Sequence, residues 1–227
     1  MAFETREFYK ELDRHYRALD NEKTCEFLQE MADETRGQHA SGDERTYGVS
    51  GAETPECNYD YVTVCNEYGC FLRNTSKWER SLETFKEALL ELERHQQQDT
   101  ANYATIRLNM AGTFRQMGNY DKAIELFSES EAFFLNSEDK GKYSYLLASV
   151  YNNLSLVYQD KEDYEQAAEC GLEALKYLPD HKDVQRATTL NNLAGVCLKQ
   201  GRLDKAEETV NESIGILKDI DGGMNFH

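Results

Sequence analysis

The sequence contains an internal repeat with a period near 42 residues. Four stretches align on a bulky anchor residue, and the anchors are spaced 42, 44 and 39 residues apart. A small residue stands nine positions before each anchor and another stands three positions after it. Two antiparallel helices approach closely only where small side chains face each other, so this spacing predicts a helix pair in every repeat. The anchors are Trp78, Tyr120, Tyr164 and Leu203, preceded by Gly69, Ala111, Ser155 and Ala194 and followed by Ser81, Ala123, Ala167 and Ala206.

A turn is expected between the two helices of each repeat. Gly118 and Gly201 occupy matching places there, and Ser76 and Glu162 take the same place in the other two repeats. Glycine at such a place ends a helix in the left-handed conformation.

The remaining pattern favours helix throughout. The chain has only 2 prolines, and apolar residues recur three and four positions apart, as in Leu82, Phe85 and Leu89. This periodicity is typical of amphipathic helices, whereas the alternation expected of strands is nearly absent. The sequence therefore predicts an all-α fold.

The best copy of the repeat, residues 108–127, resembles the tetratricopeptide repeat (TPR), whose motif places small residues eight and twenty positions in, with an aromatic between them. The resemblance covers about residues 59–220, and the long period is similar to that of kinesin light chains and many bacterial TPR proteins. It implies a right-handed α-solenoid of antiparallel helix pairs, the TPR superhelix. It also implies a scaffold that binds proteins or peptides.

This interpretation divides the chain into successive segments. A degenerate N-terminal capping pair places Cys25 at the small position that Ala123 occupies in the second repeat, and a flexible glycine-rich loop follows the cap. The tail resembles the start of a truncated further repeat, which would leave the apolar face of the last helix uncovered. The segments are 1–36 for the cap, 37–58 for the loop, 59–98, 99–140, 141–182 and 183–220 for the four repeats, and 221–227 for the tail.

Charge and hydropathy exclude several classes of function. The formal net charge is −17, so the surface repels nucleic-acid phosphates and anionic lipid. No apolar run approaches the roughly 20 residues of a membrane span, and the first residues lack the pattern of a signal peptide. We expect a cytoplasmic protein that binds neither nucleic acid nor membrane.

Motifs that carry chemistry are missing from the sequence. The 6 cysteines form no Cys-x-x-Cys pair, and the 5 histidines are scattered. The sequence contains no His-Glu-x-x-His, no Gly-x-Ser-x-Gly and no phosphate-binding Gly-x-x-x-x-Gly-Lys. It therefore predicts no metal, no cofactor and no catalytic residues.

The candidate binding residues lie on one face of the first helix of each repeat. Asparagine stands eleven positions before the anchor in three repeats, and Glu67 takes that place in the first. In TPR peptide binders, the residue at this position often holds the ligand's backbone or its terminal carboxylate. An amide can donate and accept at once, which suits the main chain of an extended peptide. The predicted set is Asn66, Arg73, Asn109, Arg115, Gln116, Asn152, Asn153, Gln159, Asn191, Asn192 and Lys199.

Several alternatives remain open from the sequence alone. Arg73, Arg115 and Lys199 favour an acidic or C-terminal peptide as the partner, unless neighbouring carboxylates neutralise them. The asparagines have a second interpretation, which is hydrogen bonding between helices within the scaffold. The main alternatives to a peptide-binding groove are assembly through the uncovered C-terminal helix and a regulatory module that senses peptides.

Overall fold

The computed structural model describes residues 3–43, 56–138, 140–180 and 183–224. Within these ranges the chain forms ten α-helices and one short 3₁₀ turn, Lys140–Tyr143, and no strand. The helices are α1 Thr5–Ala18, α2 Asn21–Asp43, α3 Tyr59–Asn74, α4 Trp78–Arg94, α5 Ala101–Gln116, α6 Tyr120–Asn136, α7 Ser144–Asp160, α8 Tyr164–Lys176, α9 Val184–Lys199 and α10 Leu203–Met224.

The helices belong to two compact units, Met1–Met117 and Gly118–His227. In the first unit, α3 packs against α2, α4 and α5. In the second unit, α7 packs against α6 and α8, and α9 packs against α8 and α10.

The small residues of the repeat lie where paired helices meet. In the first repeat, the hydroxyl of Ser81 on α4 donates to the carbonyl oxygen of Gly69 on α3 at 2.8 Å. In the third repeat the direction is reversed, because Ser155 on α7 donates to the carbonyl of Ala167 on α8 at 2.7 Å. All four residues are buried, so the close approach of the helices predicted from the spacing is present in these two pairs.

The turns of the repeats carry the predicted conformation. Gly118 and Gly201 have φ of 75° and 73°. Ser76 and Glu162, which take the same place without being glycine, have φ of 59° and 61°. The left-handed turn is thus set by position in the repeat, and glycine occurs at only two of the four places.

Asparagine, aspartate and threonine side chains cap the N-termini of several helices. Asn119, Asp163 and Asp183 each accept a hydrogen bond from the backbone N–H three residues ahead, which satisfies one of the free donors of the first turn. Asn58 and Thr100 do the same for α3 and α5.

The core of the N-terminal part joins α1, α2 and α3. Its buried members are Phe8 and Leu12 from α1, Leu28 from α2, and Val64, Tyr68, Phe71 and Leu72 from α3. The α1–α2 turn differs by one residue from the alignment made on sequence. The residue with positive φ is Leu19 (54°), so Thr24, 1% exposed, takes the small position instead of the half-buried Cys25.

Two segment boundaries also differ from the sequence-based division. Helix α2 continues to Asp43, so the first part of the 37–58 segment is helical, whereas residues 44–55 lie outside the described residues. Helix α10 continues to Met224 through the start of the predicted tail, and residues 225–227 lie outside the described part.

Candidate protein-interaction site

The structure brings three predicted residues together in the first unit. Asn109 on α5 donates from its side-chain amide to Oδ1 of Asn66 on α3 at 2.9 Å. Arg73, two turns further along α3, donates to the backbone carbonyl of Asn109 at 3.1 Å. Gly112 leaves room for this guanidinium, since a Cβ there would lie 2.9 Å from Nη1 of Arg73 and the arginine side chain would have to shift. These contacts tie α3 to α5, so Asn66, Arg73 and Asn109 take part in the scaffold.

The other two predicted residues of α5 differ in burial. Gln116, at the C-terminal end of the helix, is exposed, whereas Arg115 is half-buried. Gln116 therefore offers its amide to solvent.

In the second unit, the two adjacent asparagines of α7 have different partners. Asn152 donates to the hydroxyl of Thr189 on α9 at 2.6 Å, which links two first helices. Asn153 donates to the carbonyl of Ser149, one turn back in its own helix, at 2.8 Å. Asn153 is half-buried and its carbonyl oxygen accepts no hydrogen bond within the described part of the chain.

Helix α9 presents amides and a cation. Asn192 is half-buried and its side chain makes no hydrogen bond to any described residue. Asn191 and Lys199 are exposed, and Lys199 has no ion-pair partner among the described residues. Asn192 thus keeps both donors and its acceptor available, since neighbouring helices do not use them.

Two further amide atoms of α7 are buried without a hydrogen-bond partner in the described structure. They are Oδ1 of Asn152 and Nε2 of Gln159, and the two residues share a face because they are two turns apart. Buried polar atoms are usually satisfied, so each of these two atoms marks a place where the packed structure leaves hydrogen-bonding capacity unused.

Sequence reasoning missed a cluster on α1 and α3 of the first unit. The hydroxyl of Tyr9 donates to Oε1 of Glu67 at 3.2 Å, and the ring of Tyr16 contacts that of Phe71, with centroids 6.3 Å apart. Burial, followed by the charge of Glu67, raises the pKa of both Tyr9 and Tyr16 to about 12. The repeat alignment identified Glu67 as the residue that replaces asparagine in the first repeat. Nothing in the repeat pattern indicated that Tyr9 of α1 would be its hydrogen-bond donor.

A pocket of about 190 Å³ lies between α2, α3 and α4 in the same unit. Arg80 lines it and donates to the hydroxyl of Tyr68 at 2.7 Å and to Oε1 of Gln29 at 3.2 Å. Arg36, which also lines it, pairs with Glu87 and Tyr61. These polar groups satisfy one another across three helices, so the network stabilises the packing of α2 on the first repeat.

The described residues contain no group of three or more His, Cys, Asp or Glu side chains placed to hold a metal ion. All six cysteines are free thiols. Among the helices that the structure describes, none combines the length and the apolar character needed to cross a membrane.

Comparison with known proteins agrees with the helix pairs. Residues 146–219, which cover α8, α9 and most of α7 and α10, match the tetratricopeptide repeat family model. A comparison with curated proteins gives no match.

Solved structures match over nearly the whole chain. BtubC from P. vanneervenii has a TM-score of 0.62 at 20% identity, covering 96% of this chain and 88% of its own. Kinesin light chain TPR-like repeats from Podosopora anserina have a TM-score of 0.60 at 12% identity, covering 94% and 95%. MamA residues 41 to the end from Desulfovibrio magneticus RS-1 have 0.54 at 14%, covering 97% and 99%. At these identities the likeness concerns the fold alone.

The fold and the family match together define an all-α solenoid of antiparallel helix pairs, as the sequence predicted. Residues 146–219 match the tetratricopeptide repeat family, and the described helices share the fold of solved TPR-like repeats. Tetratricopeptide repeats are in general scaffolds for interactions between proteins and are generally not catalytic.

Proposed function

We propose that this chain is a non-catalytic scaffold that binds an extended segment of a partner protein on the first helices of its repeats. The observation that carries the proposal is that Asn153 and Asn192, in the second unit, have side-chain hydrogen-bonding groups without a partner among the described residues. The two residues hold the same place on α7 and α9, which contact each other. Both are half-buried and both keep hydrogen-bonding groups that no described residue uses. Amides in this state suit the alternating N–H and C=O groups of a peptide main chain.

Lys199 adds an anion contact on the same helix as Asn192. It is exposed and unpaired within the described structure, so an acidic side chain or a terminal carboxylate of the segment would meet it at the end of α9. Arg73 contributes less, because its guanidinium already donates to the carbonyl of Asn109 and to Oδ1 of Asn74.

Affinity capture with matched variants tests the proposal. The native chain and an Asn153→Ala/Asn192→Ala variant serve as baits in a lysate of the source cells, and mass spectrometry identifies what each retains. The control bait is Asn136→Ala/Asn211→Ala, which removes two exposed asparagines from the second helices α6 and α10. Partners lost only from the first variant, with its helicity unchanged in circular dichroism, support the proposal. Identical partner sets for all three baits contradict it.

The exposed face of α10 favours a second candidate function, assembly of several copies of the chain. Leu203 is 65% exposed, and Ile214 and Leu217 are each 43% exposed. Sedimentation velocity over a range of concentrations tests it with an Ile214→Glu/Leu217→Glu variant. Self-association that disappears in this variant and persists in the Asn153→Ala/Asn192→Ala variant supports assembly, whereas a monomer at every concentration contradicts it.

A further inference from the structure

Glu67 is the one residue of the repeated binding position that carries a charge. The second, third and fourth repeats have Asn109, Asn153 and Asn192 there, eleven residues before the anchor. In the first unit this exchange places a carboxylate on α3 where an amide stands elsewhere. A carboxylate can only accept hydrogen bonds, so it recognises a different group on a ligand.

The hydrogen bond to Glu67 comes from an uncharged group, because Tyr9 donates to Oε1 at 3.2 Å. Among the described residues, no lysine or arginine forms an ion pair with it. Burial raises the pKa of Glu67, because the neutral Tyr9 hydroxyl does not replace the water lost. A partly desolvated carboxylate without a cation nearby is stabilised by any ligand that brings one.

Two tyrosines of α1 are influenced by this carboxylate. Tyr9 and Tyr16 are two turns apart on α1 and therefore share a face, and the charge of Glu67 acts on both hydroxyls. Their side chains remain 43% and 42% exposed. Aromatic faces attract cations, and lysine and arginine side chains pack their long stems on such rings.

The neighbouring charged groups leave the carboxylate available. On α3, the thiol of Cys70 lies near Glu67, and burial raises its pKa to about 11. Arg73 lies one turn beyond Cys70, with its guanidinium turned to Asn109 and Asn74. On α1, Asp13 pairs with Arg17 at 2.8 Å.

We infer that Glu67, Tyr9 and Tyr16 form a binding site for a cationic side chain, lysine or arginine, of the partner segment. This inference rests on the proposed function, since the cation is part of the segment that the first helices bind. The net charge of −17 attracts a basic segment to the molecule, and Glu67 fixes where its cation is held.

Selection from a display library of random 12-residue peptides tests the inference on the full chain. The native chain, Glu67→Gln and Glu93→Gln are each used as the target. Glu93 is the matched control, because it is an exposed carboxylate that also accepts from a tyrosine hydroxyl, that of Tyr103, at 2.8 Å. Glutamine at position 67 still accepts the Tyr9 hydrogen bond, so the variant should keep the fold, which circular dichroism verifies.

The expected result is an excess of lysine and arginine at one position of the peptides selected by the native chain and by Glu93→Gln. Glu67→Gln should lose this excess and bind the selected peptide about tenfold more weakly. Tyr16→Leu, which keeps an apolar contact with Phe71 but removes the ring, should weaken the same peptide severalfold.

The other outcomes separate the two proposals. Peptides selected without a basic excess, or with an excess that Glu67→Gln leaves unchanged, overturn the cation site while leaving a peptide-binding scaffold. An excess of aspartate and glutamate without any basic excess would likewise overturn the cation site, and it would agree with the anion contact at Lys199. If none of the targets enriches any peptide, the proposed function fails and the cation site fails with it.

Discussion

The hydroxyl of Ser81 on α4 donates to the backbone carbonyl of Gly69 on α3 at 2.8 Å, and both residues are buried. The bond fixes the point of closest approach within the first helix pair. Phe85, one turn further along α4, lies directly over the same glycine, since a Cβ at Gly69 would stand 2.6 Å from its ring.

Gly69→Ala is therefore expected to overpack the α3–α4 contact. The loss of unfolding free energy should be about 1–3 kcal/mol, because the ring of Phe85 is fully buried and has no room to move. Urea unfolding followed by circular dichroism measures it. Gly195→Ala on α9 is the control, since nothing lies within 4 Å of a Cβ there, and it should gain about 0.5–1 kcal/mol. Equal effects of the two substitutions would contradict the close approach.

Ala167→Leu tests the corresponding contact in the third repeat. Ala167 is fully buried on α8, and its carbonyl accepts the hydrogen bond from Ser155 on α7. The larger side chain should push the two helices apart and cost about 1–3 kcal/mol. Thermal unfolding compares it with Ala132→Leu on the exposed face of α6, which should change the melting temperature little. An unchanged melting temperature for Ala167→Leu would mean that the helices do not meet at this residue.

Two opposite substitutions test the left-handed turns: one introduces glycine at such a turn and the other removes it. Glu162 has φ of 61°, which costs a residue with a Cβ about 1 kcal/mol, so Glu162→Gly should stabilise the chain by about that amount. Gly201 has φ of 73° at the matching place, and Gly201→Ala should destabilise it by a similar amount. Both are measured by urea unfolding. Effects of the same sign would contradict a shared turn conformation.

The repeat could be predicted from the sequence because its parts depend on local spacing. Small residues twelve apart, such as Gly69 and Ser81, must face each other in any tight helix pair, and the residue between them must reverse the chain. The α1–α2 pair was off by one residue because Leu19 adopts the left-handed turn without being glycine. Because leucine is not a typical residue for such a turn, the sequence did not show at which of the two neighbouring positions the turn lies.

The roles of the binding-face residues could be predicted only in part. Asn109 and Asn192 hold the same place in the repeat, yet one bonds Asn66 and the other bonds no described residue. That difference depends on which side chain the next helix presents. The cation site was missed for the same reason, since Tyr9 and Glu67 are 58 positions apart in sequence.

Alanine substitutions should separate scaffold amides from binding amides. Asn109→Ala leaves Oδ1 of Asn66 without its donor and should cost about 1 kcal/mol of unfolding free energy. Asn192→Ala removes no hydrogen bond within the described structure and should change stability by less than about 0.5 kcal/mol. Urea unfolding of the two variants measures this difference. A loss at Asn192 as large as that at Asn109 would assign both residues to the scaffold.

The tyrosines of the cation site should make stability fall at high pH. The folded chain raises the pKa of Tyr9 and Tyr16 from 10.0 to about 12, chiefly by burial and then by the charge of Glu67. The folded state therefore holds these protons more tightly than the unfolded state does. Their contribution is fully present below pH 10 and is lost as the pH rises through 12.

A Tyr9→Phe/Tyr16→Phe variant isolates this contribution. Phenylalanine keeps the rings but cannot ionise, so the variant should lose less unfolding free energy than the native chain between pH 10 and pH 12. Urea unfolding at a series of pH values measures both proteins. Below pH 10 their difference should be constant and reflect only the lost Tyr9 hydrogen bond to Glu67. Parallel curves up to pH 12 would show that neither hydroxyl is held protonated by the folded chain, and Glu67 would then not act on them as a nearby buried charge.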